Sequence, residues 1–431
     1  MSSEWRSATL GDLCRAVFSG GTPTSTNSDY YGGLIPWLRT KEVNYGKIYG
    51  TEEHISQAGF DSSSAKLVPV NSVIVAMYGN GDTAGRVAIN KVALTTNQAC
   101  CNLVVDASRA DYRFIYYYLK SRYKELVDLK NGGAQQNLNG RLIKAFPIAV
   151  PEVTTQAAIA DLLEALDDRI ALLRETNATL EAIAQALFKS WFVDFDPVRA
   201  KQQGLPPAGM DEATAALFPG SFEESALGLV PKGWRQGTVS DFAQMHRGSV
   251  NPGGTGDTLF EHFSLPAFDA EQIPVRELGA EIKSNKTSVP RDAVLLSKLN
   301  PHIPRVWLPV DAGPHAVCST EFLVFVPAAG ASREFAYCSF LAARFQERLR
   351  QLVTGTSNSH QRVKPDSVLT LSTVVPPSPA LEAFTFVVCP IFERVGRNRL
   401  QAQTLATLRD TLLPRLISGQ LRVPQAEFAE A

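Results

Sequence analysis

"EWRSATLGDL" (residues 4–13) returns as "GWRQGTVSDF" (residues 233–242), aligning Trp5 with Trp234, Arg6 with Arg235, Thr9 with Thr238 and Asp12 with Asp241. Such agreement within ten residues marks an internal duplication, and it continues downstream. "RFIYYYLKSRYKELVDLKNGGAQQN" (113–137) and "EFAYCSFLAARFQERLRQLVTGTSN" (334–358) each predict an aromatic-rich amphipathic helix followed by a glycine-containing polar loop. An apolar strand closing on proline comes next in each half, "AFPIAVP" (145–151) and "LSTVVPP" (371–377).

Each half then ends in a heptad pattern. Ile159, Leu163, Leu166, Ile170, Leu173, Asn177, Leu180, Ala184, Leu187 and Trp191 alternate spacings of four and three, the seam of a coiled coil with one polar position at Asn177. Phe384, Val388, Ile391, Val395, Asn398, Ala402, Leu405, Arg409, Leu412 and Leu416 repeat that rhythm. Pro390 predicts a late start or a kink in the second helix, and Pro414 a fraying end. Asn177 is expected to fix the register of the pair at some loss of stability.

The connectivity requires the two helices to run antiparallel if their seams pair. About 38 residues at ~1.5 Å rise give a rod of roughly 55–60 Å, longer than the 34–36 Å of one DNA turn. The predicted fold is therefore α+β, with two globular α/β domains in pseudo-twofold repeat separated by two long antiparallel coiled-coil helices. The boundaries are domain one at 1–151, helix one at 152–195, a surface linker at 196–232, domain two at 233–377, helix two at 378–424 and a tail at 425–431.

Composition sets limits on partners. Lys plus Arg number 42 against 43 Asp plus Glu, so a net charge of -1 supplies no global attraction to a polyanion. Contact with nucleic acid must come from local patches or from a partner. Cys14, Cys100, Cys101, Cys318, Cys338 and Cys389 have neither CxxC spacing nor histidines at ligand spacing, which reads as reduced thiols in a cytoplasmic protein. The sequence contains neither a secretory leader pattern nor an uninterrupted apolar stretch of about 18 residues.

Catalytic motifs are missing where they would be needed. "YGNGDTAGR" (78–86) has glycines without the helix pattern of a methyl-donor loop, and "LNPHIP" (299–304) lacks the second proline and aromatic of an adenine-methylase tetrapeptide. A phosphate-binding Gly-x-x-x-x-Gly-Lys-Ser/Thr is absent. Asp269, Glu281 and Lys283 are the nearest approach to a metal-dependent nuclease set. A nuclease and a coiled-coil adaptor that never meets DNA stand as alternatives, and no metal site is expected.

Arg and Lys suit guanine edges and phosphates, Asn and Gln adenine edges. In the first domain these are Arg39, Lys41, Asn44, Asn80 and Arg86, with Gln135, Gln136 and Asn137 in the polar loop 131–141. In the second, Lys283, Lys286, Lys298 and Arg305 cluster around Asn300 and His302, and Asn358 and His360 stand in the equivalent loop 354–362. The opening "GGTPTSTNSDYYGGLIPW" (20–37) reads as a turn followed by Tyr30, Tyr31 and Trp37 serving in packing.

These features together resemble the specificity subunit of type I restriction-modification enzymes over nearly the whole chain. "FSGGTPTSTNSDYYGGLIPWLRTKEVNYGKIY" (18–49) and "TTNQACCNLVV" (95–105) look like that family's first target-recognition domain; "EHFSLPAFD" (261–269), "IKSNKTSVPRDAVLLSKLNPHIPRVW" (282–307) and "CSTEFLVF" (318–325) look like its second. "LFKSWFVDFDPVRAK" (187–201) and "TLLPRLISGQL" (411–421) resemble the ends of its spacer helices. The resemblance implies a non-catalytic subunit that reads a split double-stranded DNA target. It also implies two modification and two restriction subunits as partners, which would use S-adenosylmethionine, ATP and magnesium while this chain binds no cofactor.

Overall fold

The structure, a computed structural model, describes residues 5–79, 82–129, 137–328, 330–354 and 361–423; the expected tail lies outside them. The chain forms two compact units, one of residues 1–172 and 402–431, the other of residues 173–401. Each unit holds one globular lobe and a portion of both long helices.

The duplicated opening motif serves the same purpose in both units. Arg6–Thr9 pairs antiparallel with Pro147–Val150, and Arg235–Thr238 with Ser372–Val375, Arg6 facing Val150 and Arg235 facing Val375. The matched Thr and Asp then cap a short turn: the Thr9 N–H donates to Asp12 Oδ2 (2.8 Å), and the Thr238 N–H to Asp241 Oδ2 (2.7 Å). Trp234 is buried, while Trp5 packs edge-on against Phe114.

Two sheets follow in each lobe. In the first lobe the order Cys14–Ser19, Cys100–Val105, Val73–Ala76, Val87–Asn90 is antiparallel, with Lys47–Ile48 added at the edge. The second lobe repeats that order with Ala243–His246, Phe322–Pro327, Val294–Ser297 and Val306–Trp307. Val73–Ala76 and Val294–Ser297 are buried at every position, so their sequences are apolar throughout but for Ser297. The other sheet places Tyr31–Leu38 between an antiparallel Glu53–Ile55 and a parallel Thr95–Thr96. Its counterpart places Leu259–Phe263 between Val275–Leu278 and Ala316–Cys318, then adds Lys286–Ser288 and Ser249–Val250.

The long helices run Val153–Phe192 and Ser378–Ile417, 40 residues each. Every seam position read from the heptads is buried or half-buried. In the first unit Asp167 meets Arg409 (2.5 Å) while Ile159 and Leu163 share a cluster with Leu413 and Leu416. In the second unit Asn177 meets Asn398, and Phe188 meets Phe384. Later residues of one helix thus contact earlier residues of the other, as antiparallel pairing requires.

Two expectations need correction. Pro390 neither delays nor interrupts the second helix, which begins at Ser378 and continues to Ile417. The carbonyl that loses its donor belongs to Phe386, a residue exposed to solvent, as is Pro390 itself, so water can take the donor's place. Residues 196–232 are also no loose linker. They form the helix Asp196–Gln202 and the hairpin Phe222–Ser225 with Gly228–Pro231, and they bury Val198, Phe218 and Val230. These short apolar pieces anchor a segment that its Pro, Gly and acid content disguises.

Candidate nucleic-acid interface

In each lobe one hairpin loop leaves the end of the central buried strand and returns through an arginine. The Ala76 N–H donates to the Arg86 carbonyl, and the Ser297 N–H to the Arg305 carbonyl, both at 2.9 Å. Loops 77–85 and 298–304 are therefore equivalents, although their sequences share almost nothing.

The first hairpin loop lies against the helix that precedes its lobe's polar loop, the second against the last residues of the polar loop itself. In the first lobe Tyr123, on the helix Tyr123–Asp128 that precedes the polar loop, donates its hydroxyl to the Asp82 carbonyl (2.9 Å). Gly85, at φ +90°, passes so near that an added Cβ would stand 2.7 Å from Val127 Cγ2. In the second lobe the Asn300 N–H donates to the Gln361 carbonyl (2.8 Å) and the Val363 N–H to that of Lys298 (3.1 Å). The fold thus joins polar segments far apart in sequence, among them Lys298, Asn300 and Gln361.

The candidate cations differ between the lobes. In the first, Arg39 pairs with Glu53 (2.5 Å), Lys41 with Glu52, and Arg86 with Asp82 (2.5 Å) while also donating to Asn44 Oδ1 (2.6 Å). In the second, Lys283 donates to the Ala280 carbonyl and Lys286 to Ser284, and among the described residues no carboxylate pairs with Lys283, Lys286 or Lys298. His302 is exposed. Arg305 departs from the expected patch: its side chain is 12% exposed and grips Asp269 through two hydrogen bonds of 2.6 and 2.8 Å. Asn300 takes a left-handed φ of 51°, which Asn tolerates better than most residues, and its Oδ1 is buried without a partner among the described residues. Asn137 is exposed; Asn80, Gln135, Gln136, Asn358 and His360 lie outside the described residues.

Exposed Lys124, Arg141 and Lys144 flank the first polar loop, and Arg350 and Lys364 the second. Reading the loops for base-edge groups alone passed these residues over. Their signal was a charge on both borders of a polar loop, as phosphate contacts favour.

Comparison with known proteins follows this geometry. Residues 2–182 match the family model described as the type I restriction modification DNA specificity domain. The chain is 26% identical over 426 residues to the type I restriction enzyme MjaIX specificity subunit of Methanocaldococcus jannaschii, covering 95% of this chain and 92% of that one. It is also 26% identical over 349 residues to the HindI specificity subunit of Haemophilus influenzae, covering 70% and 74%. The fold is similar to that of a type I restriction-modification S subunit from M. genitalium, with TM-score 0.56, 16% identity and 96% of each chain covered. Residues 2–182 thus carry the match to a type I specificity domain, and the chain over nearly its whole length is similar to type I specificity subunits.

Among the described residues the three groups of the nuclease alternative share no common site. Asp269 is held by Arg305, Glu281 Oε2 accepts from the Leu278 N–H (3.1 Å), and Lys283 turns to the Ala280 carbonyl (2.8 Å). Tyr31 and Trp37 pack edge to face at 5.8 Å; the Trp37 indole N–H donates to Gly21 and the Tyr31 hydroxyl to Pro23, so this opening stretch builds a core corner. Burial pushes the Cys14, Cys101 and Cys318 thiols up to about 12, far from reactive thiolate values. Among the described residues no helix is long and apolar enough to cross a membrane.

Proposed function

We propose that the chain reads a split double-stranded DNA target, one part per lobe, and carries two modification and two restriction subunits to it. As a specificity subunit it supplies sequence selection and leaves the chemistry to those partners. S-adenosylmethionine, ATP and magnesium belong to the partner subunits on this reading, and the work is done in the cytoplasm.

One observation carries the proposal: on a repeated scaffold, each lobe sets a hairpin loop at the same place, against a segment that borders or belongs to its polar loop. Loops of equal placement and unlike sequence suit two reading heads for two different base sequences. The unpaired lysines of the second lobe and the charged loop borders can neutralise phosphates, while Asn and Gln groups suit base edges. A net charge of -1 leaves non-specific affinity low and gives the modification subunits part of the phosphate neutralisation.

The test is a map of methylated adenines across the host genome with the gene intact and deleted. The expected result is a two-part motif that vanishes on deletion. An unchanged methylome under conditions where the complex is made would refute the proposal. Where the motif does vanish on deletion, charge reversal at Lys298 discriminates the adaptor alternative, which predicts no loss of methylation.

A further inference from the structure

The two hairpin loops share one more feature. Each returns to its sheet through an arginine that faces inward, and each arginine ends on an aspartate. Arg86 immediately precedes strand Val87–Asn90 and Arg305 immediately precedes strand Val306–Trp307, and both accept the same closing backbone hydrogen bond described above.

The aspartates come from different places. Asp82 lies within the first lobe's own loop, and Arg86 adds a second tie to Asn44 on the segment leading into the edge strand Lys47–Ile48. Asp269 lies on the helix Leu265–Ala270, which follows a strand of the other sheet, so Arg305 ties its loop across to that sheet. Bidentate pairing fixes both the position and the plane of the Arg305 guanidinium. Neither arginine has the freedom that a base-reading side chain needs.

We infer that Arg86 and Arg305 are equivalent positioning residues: each locks the hairpin loop of its lobe through an aspartate, and the other loop residues do the reading. The inference rests on the proposed DNA-reading function. A loop locked at its return arm presents its polar groups in one arrangement and pays less ordering entropy on binding. Asn300, held in a left-handed conformation within the second loop, is one residue whose placement depends on that lock.

The experiment uses the full-length chain with its own modification subunits in cells that carry no other adenine methylation, with methylated sites mapped by sequencing. Arg305→Lys keeps the charge and removes the fork; Asp269→Asn removes the partner and leaves the arginine. Both are expected to raise methylation about tenfold at sites mismatched in one half of the target, the half read by the second lobe, and to leave the other half unchanged. Arg86→Lys and Asp82→Asn are expected to blur the opposite half.

Loss of discrimination in both halves together would overturn the inference, because it would mean a general structural defect. A sharp target in Asp269→Asn alongside a blurred one in Arg305→Lys would also overturn it and make Arg305 a direct DNA contact. A wild-type chain that directs no split target would instead remove the DNA-reading proposal itself, before any variant is compared.

Discussion

The two lobes share a topology but attach to the helices by different physics. In the first unit a belt of polar contacts surrounds the apolar cluster that Ile159, Leu163, Leu413 and Leu416 share with Phe114 and Ile148 of the lobe. Arg113 reaches Asp111, Asp161 and Glu164; Lys47 reaches Glu164 and Asp168; Tyr117 and Arg409 both bind Asp167. In the second unit the attachment is aromatic: Phe188, Trp191 and Phe192 of the first helix surround Phe384 of the second, with Phe335 of the lobe beside them. A duplicated fold therefore does not dictate how its copies are fastened. The first joint thus adds ion pairs that salt can screen, while the second rests mainly on buried rings, where a cavity is costly.

The largest expected effect is at Phe384. Its replacement by Ala removes a fully buried ring from the centre of the aromatic cluster and should cost about 3–5 kcal/mol. Hydrogen exchange should then show the Val294–Ser297 amides losing protection while those of Val73–Ala76 keep theirs. Equal loss in both strands would mean the units do not fail separately, and the contrast would collapse.

Arg113→Met comes next. It strands Asp111 and leaves Glu164 with Lys47 alone, and should cost roughly 1–3 kcal/mol, below the 3–5 kcal/mol of a fully buried broken pair. Raising salt from about 0.05 to 0.5 M should weaken the wild-type first unit and not the second, since screening acts on its half-exposed ion pairs. Chemical denaturation followed by exchange within each unit measures both effects. A first unit indifferent to salt would refute the polar reading of its joint.

What the sequence revealed about these joints follows from period and type. The heptads located both helices, because burial along a helix repeats at a fixed interval, but not the buried Phe188, Phe192, Phe392 and Leu413 beside the seam. Asn177 was legible as a polar seam residue, but its partner was not: spacing along one helix cannot say which residue of another lies opposite. Arg86, Asn44 and Arg305 were read as DNA contacts because arginine and asparagine in a loop carry the right groups. Their internal use depends on Asp82 and Asp269, and nothing in linear spacing links Arg305 to an aspartate 36 residues away. Residues 196–232 differ for the opposite reason, since a few buried side chains, Val198, Phe218 and Val230 among them, fasten a segment whose composition is that of a linker.

The seam offers a smaller test. Asn398 Nδ2 donates to Asn177 Oδ1 (2.9 Å), and Asn177 Nδ2 donates to the Val395 carbonyl (3.2 Å), both buried. Asn177→Leu alone leaves Asn398 without its acceptor and should cost about 1–3 kcal/mol. Adding Asn398→Leu should recover most of that, because two apolar residues then face each other. A double-mutant cycle that closes additively would show that the two amides do not act as a pair.

The smallest effect separates two glutamates by pH. Burial alone would raise Glu164, but hydrogen bonds from Arg113 and Lys47 outweigh it and hold its carboxyl below the ordinary range. Glu181 goes the other way: burial raises it, and Arg399 offsets only part of that. A carboxyl held low favours folding above its unfolded value of about 4.3, and that contribution disappears as pH falls through the lower folded value. A carboxyl held high binds its proton more readily when folded, so its penalty at neutral pH is relieved as pH falls toward about 4.3. Acidification should therefore ease the second unit first and loosen the first unit only below the ordinary glutamate range. Glu181→Gln should abolish the early gain, and Glu164→Gln should flatten the later loss. Exchange rates corrected for their intrinsic pH dependence would report each, and a gain that persists in Glu181→Gln would assign it to another group of the second unit.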